Sequence, residues 1–204
     1  IPIDATFVDD GFGIGHFEWQ TTQTSAGEYS VGFSATNTES FSDTIFVNIL
    51  VENVLNVWLP EIDTPIVTDI TIPIYTDELA ELNVYSFYTK ILFDSEVISP
   101  TDITTQETLC ESWGSLSFNL NTPGEILISV FDTDALIGSG TLLNIDFDVT
   151  GSDGTFSDLE FEFFVFNEGN PTADLANGVI YIGTPVAEFS ANVLSGFSPL
   201  VVDF

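Results

Sequence analysis

Apolar and polar residues alternate along most of this chain. In Leu143-Asn144-Ile145-Asp146-Phe147-Asp148-Val149 every second position is apolar, the period of a strand with one dry face and one wet face. Asp69-Ile70-Thr71-Ile72-Pro73-Ile74 alternates too, and its Pro73 marks an edge position, where a missing N–H is tolerated. Residues 85–93 form a longer run, largely apolar on both faces. Residues 115–121 and 125–131 flank Thr122-Pro123-Gly124, which reads as a turn between two strands. Residues 159–166 and 178–182 supply further strands. Helical periodicity is nearly absent. The longest helix-compatible stretch, Thr76-Asp77-Glu78-Leu79-Ala80-Glu81-Leu82, is read as a loop between strands. Short strands at this spacing predict an all-β sandwich.

Composition narrows the classes of function. Of 204 residues, 32 are Asp or Glu, one is Lys and none is Arg, giving a formal net charge of −31. Such charge produces disorder only when hydrophobicity is low, and here 44% of residues are hydrophobic, with 19 Phe, 5 Tyr and 3 Trp. The chain has ample material for a core. Nucleic-acid binding is excluded, because phosphate contacts need Lys or Arg and Lys90 stands alone. Adsorption to anionic membrane surfaces fails for the same reason. No apolar run reaches the roughly 18 residues that a membrane helix needs. The charge itself reads as a solvated surface, most tolerable where salt screens it, so a saline extracellular setting is expected.

Candidate reaction chemistry is sparse. Cys110 is the single cysteine, so no intramolecular disulfide forms. With His16 it makes two potential zinc ligands where three or four are needed. His16 follows the turn-rich Gly11-Phe12-Gly13-Ile14-Gly15 and is read as an exposed residue at a strand start, with no nucleophile elbow near it. Cys110 has no imidazole or cation near it in sequence to lower its pKa, and reads as a half-buried thiol. Paired carboxylates are guaranteed by chance among 32 acids, so pairs alone do not indicate a glycosidase. No enzyme is expected. Asp132-Thr133-Asp134 begins as a calcium loop does, but Leu136 sits where an acid or amide belongs and no Glu closes the loop. Asp132 and Asp134 are the calcium candidates; otherwise no cofactor is expected. Gly151-Ser152-Asp153-Gly154 reads as a turn in which Asp153 takes the left-handed conformation.

An ordered set of motifs in the central segment resembles a cohesin domain. The run Val84-Tyr85-Ser86-Phe87 through Ile91-Leu92-Phe93-Asp94-Ser95-Glu96-Val97-Ile98 is similar to the family's long strand and following corner, with Ser95 for the usual Pro and Ile98 for the usual Leu. Asn121-Thr122-Pro123-Gly124-Glu125-Ile126 resembles its central hairpin, and residues 138–149 its Gly-rich entry into the seventh strand. Phe166-Asn167-Glu168-Gly169-Asn170-Pro171-Thr172-Ala173 with Asn177-Gly178-Val179-Ile180 resembles its terminal signature. The expected organisation is then a cohesin-like domain over residues 56–183. Before it, residues 1–55 resemble the C-terminal part of a cadherin-like or immunoglobulin-like repeat, on Gly15-His16-Phe17-Glu18-Trp19 and Ala26-Gly27-Glu28-Tyr29-Ser30-Val31. Residues 52–56 read as a short polar bridge. After it, residues 184–204 resemble the first strands of a truncated PKD-type domain. Such arrays belong to large secreted or cell-surface proteins of bacteria or archaea.

The resemblance implies a nine-stranded jelly-roll sandwich that binds a dockerin-bearing partner on one flat face. By alternation Phe87, Thr89, Ile91 and Phe93 point inward, leaving Ser86, Tyr88, Lys90 and Leu92 outward. Tyr88 and Leu92 are large side chains to leave in water, which hints at a contact surface. If the strands pair as in cohesins, Ser117, Asn119, Leu127 and Ser129 share that face. The family commonly has small polar or acidic residues at the Ser86 and Tyr88 positions, so Tyr88 is a departure. Two other readings stand beside docking: direct polysaccharide binding, and a structural spacer in a surface stalk. The glycan reading needs a row of exposed Trp or Tyr, whereas Trp19, Trp58 and Trp113 are scattered along the chain.

Overall fold

Strand alternation becomes strand pairing throughout the computed structural model, which describes residues 2–22, 25–65 and 68–183. These residues form fifteen strands and no α-helix. Strands β1 (Ala5–Gly11) and β2 (Ile14–Trp19) make one antiparallel hairpin, and β3 (Gly27–Thr36) and β4 (Ser42–Val51) another. Alternation puts Phe7, Phe17 and Trp19 on one side of the first hairpin, and Tyr29 and Phe33 on one side of the second. Phe7 and Phe17 meet Phe33 at ring separations of 5.8 and 5.5 Å, and Trp19 meets Tyr29 at 4.6 Å. This packing leaves much of β4 bare: Ile45 is 67% and Phe46 69% exposed. Residues 184–204, where the PKD-type start is expected, lie outside the described residues.

The remaining strands build the sandwich. They are β5 (Val54–Trp58), β6 (Glu61–Thr64), β7 (Asp69–Thr76), β8 (Val84–Leu92), β9 (Ile98–Thr104), β10 (Ser115–Asn119), β11 (Glu125–Leu136), β12 (Gly140–Val149), β13 (Phe156–Phe166), β14 (Thr172–Ala176) and β15 (Gly178–Ile182). One sheet has the order β10-β11-β8-β13-β15-β6 and the other β14-β5-β7-β12-β9. The runs β5–β6 and β14–β15 each pass from the five-stranded sheet to the six-stranded one and pair with each other in parallel. Counted as continuous runs they make nine strands, the jelly roll expected.

Between the sheets lies one apolar cluster. Ile72, Ile74, Ile145 and Phe147 of the five-stranded sheet are at most 1% exposed, as are Phe87, Ile91, Ile126 and Val130 of the other. Phe87 stacks on Phe164 at 5.2 Å, and Phe93 meets Phe147 edge-on at 5.9 Å. Thr89, fully buried among them, donates its hydroxyl proton to the Phe163 carbonyl at 2.7 Å, which removes the cost of an unpaired buried hydroxyl. The corner after β8 is held by Asp94: its side chain accepts from the Glu96 N–H, and its carbonyl from the Val97 and Ile98 N–H groups.

Several sequence expectations need correction. Residues 52–56 are not a polar bridge: β5 starts at Val54, and Leu55 is buried in the sandwich core. Pro73 belongs to β7, which lies between β5 and β12 in the sheet. Only Tyr75 and Thr76 of β7 pair with β5, however, so at Pro73 the strand has a partner on one side. Cys110 is fully buried rather than half-buried. In the 151–154 turn the left-handed residue is Gly154, at φ +83°, not Asp153. Of residues 76–82, Thr76 closes β7 and the rest are a loop as read, with Leu79 anchored in the core.

Candidate functional site

The outer face of the six-stranded sheet is organised about β8. This strand pairs antiparallel with β11 on one side and β13 on the other, and β11 pairs with β10. All eight residues assigned to the contact face from sequence fall on it, in cross-strand rows. Asn119, Leu127 and Lys90 lie side by side, followed by Phe163; Ser117, Ser129 and Tyr88 form the next row, followed by Val165. Ser86 stands opposite Phe131, and Leu92 lies between Glu125 and Glu160. Tyr88 is 46% exposed and Leu127 40%, above a shallow depression of about 380 Å³.

Three apolar members of this face were missed by sequence reasoning. Phe131, 55% exposed, continues the alternation of Leu127 and Ser129 and was legible from them. Phe163 and Val165 were not. Phe161, Phe164 and Phe166 are buried, so strict alternation fails between Phe161 and Phe163, where the register of β13 shifts. This bulge adds one residue to the strand. Where the pairing of β13 with β15 ends at Leu159, the Phe161 N–H donates to Asn177 Oδ1 at 3.0 Å. The same bulge turns Phe163 outward, and its ring meets Tyr88 edge-on at 5.5 Å.

Lys90 is not a free cation. Its Nζ lies 2.7 Å from Glu162 Oε2 and 3.1 Å from Glu125 Oε1. These carboxylates, Glu162 foremost, raise its pKa above the usual lysine value. Lys90 thus ties β8 to both neighbouring strands while leaving the local charge negative. Beyond Leu92 the face runs into an open cleft of about 1040 Å³ whose walls carry Asp94, Glu96, Asp158 and Glu160. All four are exposed, without the burial that a carboxylic general acid needs.

Other candidate chemistry does not assemble. His16 is an exposed residue of β2, its Nδ1 3.1 Å from Asp10 Oδ2. Cys110 is sealed in the core, and burial pushes its thiol up to about 12, far from a thiolate nucleophile. Among the described residues no three His, Cys, Asp or Glu side chains gather as a metal site. Asp132 accepts N–H groups of Gly114, Asp134 and Thr133, which hold its carboxyl below the usual range. The three Trp form no row: Trp19 packs on Tyr29, Trp113 is buried, and Trp58 stacks on Tyr75 at 5.4 Å.

No protein-family model and no curated protein sequence matches the chain. Solved structures do. A non-cellulosomal cohesin from the hyperthermophilic archaeon Archaeoglobus fulgidus has 18% identity and a TM-score of 0.54, over 64% of this chain and 91% of that one. The seventh ScaB type I cohesin of Pseudobacteroides cellulosolvens has 16% identity and a TM-score of 0.54, over 68% and 98%. A Clostridium thermocellum OlpA cohesin, solved in complex with a dockerin, has 18% identity and a TM-score of 0.56, over 64% and 99%. At these identities the likeness speaks for fold alone: the sandwich of β5 to β15 is a cohesin-like jelly roll.

Proposed function

We propose that this chain is a non-catalytic adhesion or scaffold module, extracellular or on a cell surface, that captures a dockerin-bearing partner on the outer face of β10-β11-β8-β13. The observation carrying this reading is the four-stranded patch on which Tyr88, Leu127 and Phe131 are 46%, 40% and 55% exposed, in the cohesin-like fold. A sheet buried on its inner side is a rigid platform, and large apolar side chains held there lose little conformational freedom on contact. Several of the structural neighbours were solved with dockerins bound. In the same reading the hairpins β1–β2 and β3–β4 belong to an adjoining β module.

Capture of calcium-loaded dockerin proteins by the immobilised chain tests the proposal. Tyr88→Ala is expected to weaken capture at least about tenfold, or roughly 1.4 kcal/mol. EDTA is expected to abolish capture while leaving the thermal midpoint of the chain alone unchanged, since the calcium belongs to the partner. Capture indifferent to Tyr88→Ala, or retardation by soluble polysaccharide with no dockerin captured, would overturn the reading.

A further inference from the structure

We infer that the partner accepted by this face presents an apolar centre rimmed by Lys or Arg; the inference rests on the docking reading above. The centre of the face is Tyr88, Leu127, Phe131 and Phe163, brought together by register and by the bulge of β13. Its β10 side is uncharged, with Ser117 and Asn119, while the charge at its Leu92 end and β13 side is acidic except for Lys90. Glu125 and Glu160 flank Leu92, and Glu162 lies beside Lys90. The cleft that continues the face past Leu92 adds Asp94, Glu96 and Asp158.

Lys90 would be the natural docking point for a partner carboxylate, yet Glu162 and Glu125 already hold it at 2.7 and 3.1 Å. One positive charge against two negative leaves that cluster negative, so a partner carboxylate finds no free cation in these rows. Like charges brought together at a rim disfavour the wrong partner, whereas opposite charges raise the association rate and fix register. The net charge of −31 extends the same preference to long range, where it steers cationic partners in a salt-dependent way. Apolar packing then sets how long the partner stays, and the acidic rim sets which partner arrives.

Two labelled amphipathic helical peptides with the same Leu–Tyr stripe, one flanked by Lys and one by Glu, test the charge preference, and substitutions in the face separate the local rim from the overall charge. At 0.05 M NaCl, anisotropy titration of the full chain is expected to show binding of the Lys-flanked peptide alone. Tyr88→Ala should weaken it at least about tenfold. The pair Asp158→Asn and Glu160→Gln, which leaves Lys90 and its partners untouched, should weaken it about threefold or more. Equal binding of both peptides, no binding of either, or Lys-peptide binding indifferent to these substitutions would overturn the inference. Dockerin capture that needs Tyr88 but ignores both rim substitutions and salt would also sink it, leaving the docking reading intact. Face-dependent binding of the Lys-flanked peptide with no dockerin captured would support the rim chemistry and sink the dockerin reading.

Discussion

Cys110 shows how a loop residue becomes core. Nothing in Thr-Leu-Cys-Glu-Ser-Trp alternates, so its depth was not legible from pattern. The N–H groups of Leu109 and Cys110 donate to the Thr141 and Leu142 carbonyls of β12, drawing the β9–β10 connection inward, and Trp113 closes beside Phe87. Burial raises the thiol from an ordinary 9.0 to about 12. The sign of the consequence follows from linkage. The unfolded thiol ionises from about pH 9 while the folded one keeps its proton, so the unfolded chain binds fewer protons and stability falls as pH rises. This group removes roughly 1.4 kcal/mol per pH unit between its two pKa values. Below pH 9 it has no effect. Urea midpoints of the wild type and Cys110→Ala should therefore run parallel from pH 6 to 8 and converge from pH 9 to 11, with wild type losing stability faster. Parallel curves across the alkaline range would show that the thiol is not buried.

At the scale of elements, the decisive joints are asparagines. Asn167 lies just past β13 at φ +44°, a left-handed conformation that costs most residues about 1–2 kcal/mol. Its side chain repays this by joining two strands. Oδ1 accepts the N–H groups of Tyr85 and Ser86 at 2.9 and 3.3 Å, and Nδ2 donates to the Asn83 and Asn170 carbonyls at 3.2 and 2.8 Å. These bonds set the start of β8 against the end of β13, and with it the row holding Tyr88 and Val165. Asn167→Ala is expected to lower stability by about 2–3 kcal/mol, read from the urea midpoint. It should also weaken dockerin capture, although Asn167 is not itself among the rows of the face. Unchanged stability would mean the bonds are replaced by water at no loss. Element existence was legible here because period-two alternation is a local property. β8, β12 and β15 stand where the pattern put them. The bulge in β13 was not legible, because it is a shift of register against β8, some seventy residues away, that local alternation does not encode. The rows of the outer face could accordingly be placed from alternation on β8, β10 and β11, where Phe131 was nonetheless passed over, and not on β13.

At the scale of the molecule, the sequence announces a two-layer sandwich but not how its charge is carried. The acids alternate with core residues, as Asp146 and Asp148 do with Ile145 and Phe147, so burying the core necessarily spreads carboxylates over the outer surface. Lys90 offsets one charge of the two carboxylates it touches. The folded chain holds its remaining carboxylates closer together than the expanded chain does, and this self-repulsion lowers stability at low ionic strength. Shortening the Debye length from about 30 Å at 0.01 M salt to about 3 Å at 1 M relieves the folded state more than the unfolded one. The thermal midpoint should therefore rise with NaCl over that range. A gain of about 2 kcal/mol would appear as roughly 4–8 °C for a chain of this length. Choline chloride should act much as NaCl does if screening is the cause, because screening depends on ionic strength and not on a cation site. A rise confined to calcium would instead point to specific binding, with the Asp132 and Asp134 turn as the first place to look. A midpoint that falls with NaCl would refute the saline setting and require that the carboxylates be stabilised individually, as Asp132 is by its three backbone donors.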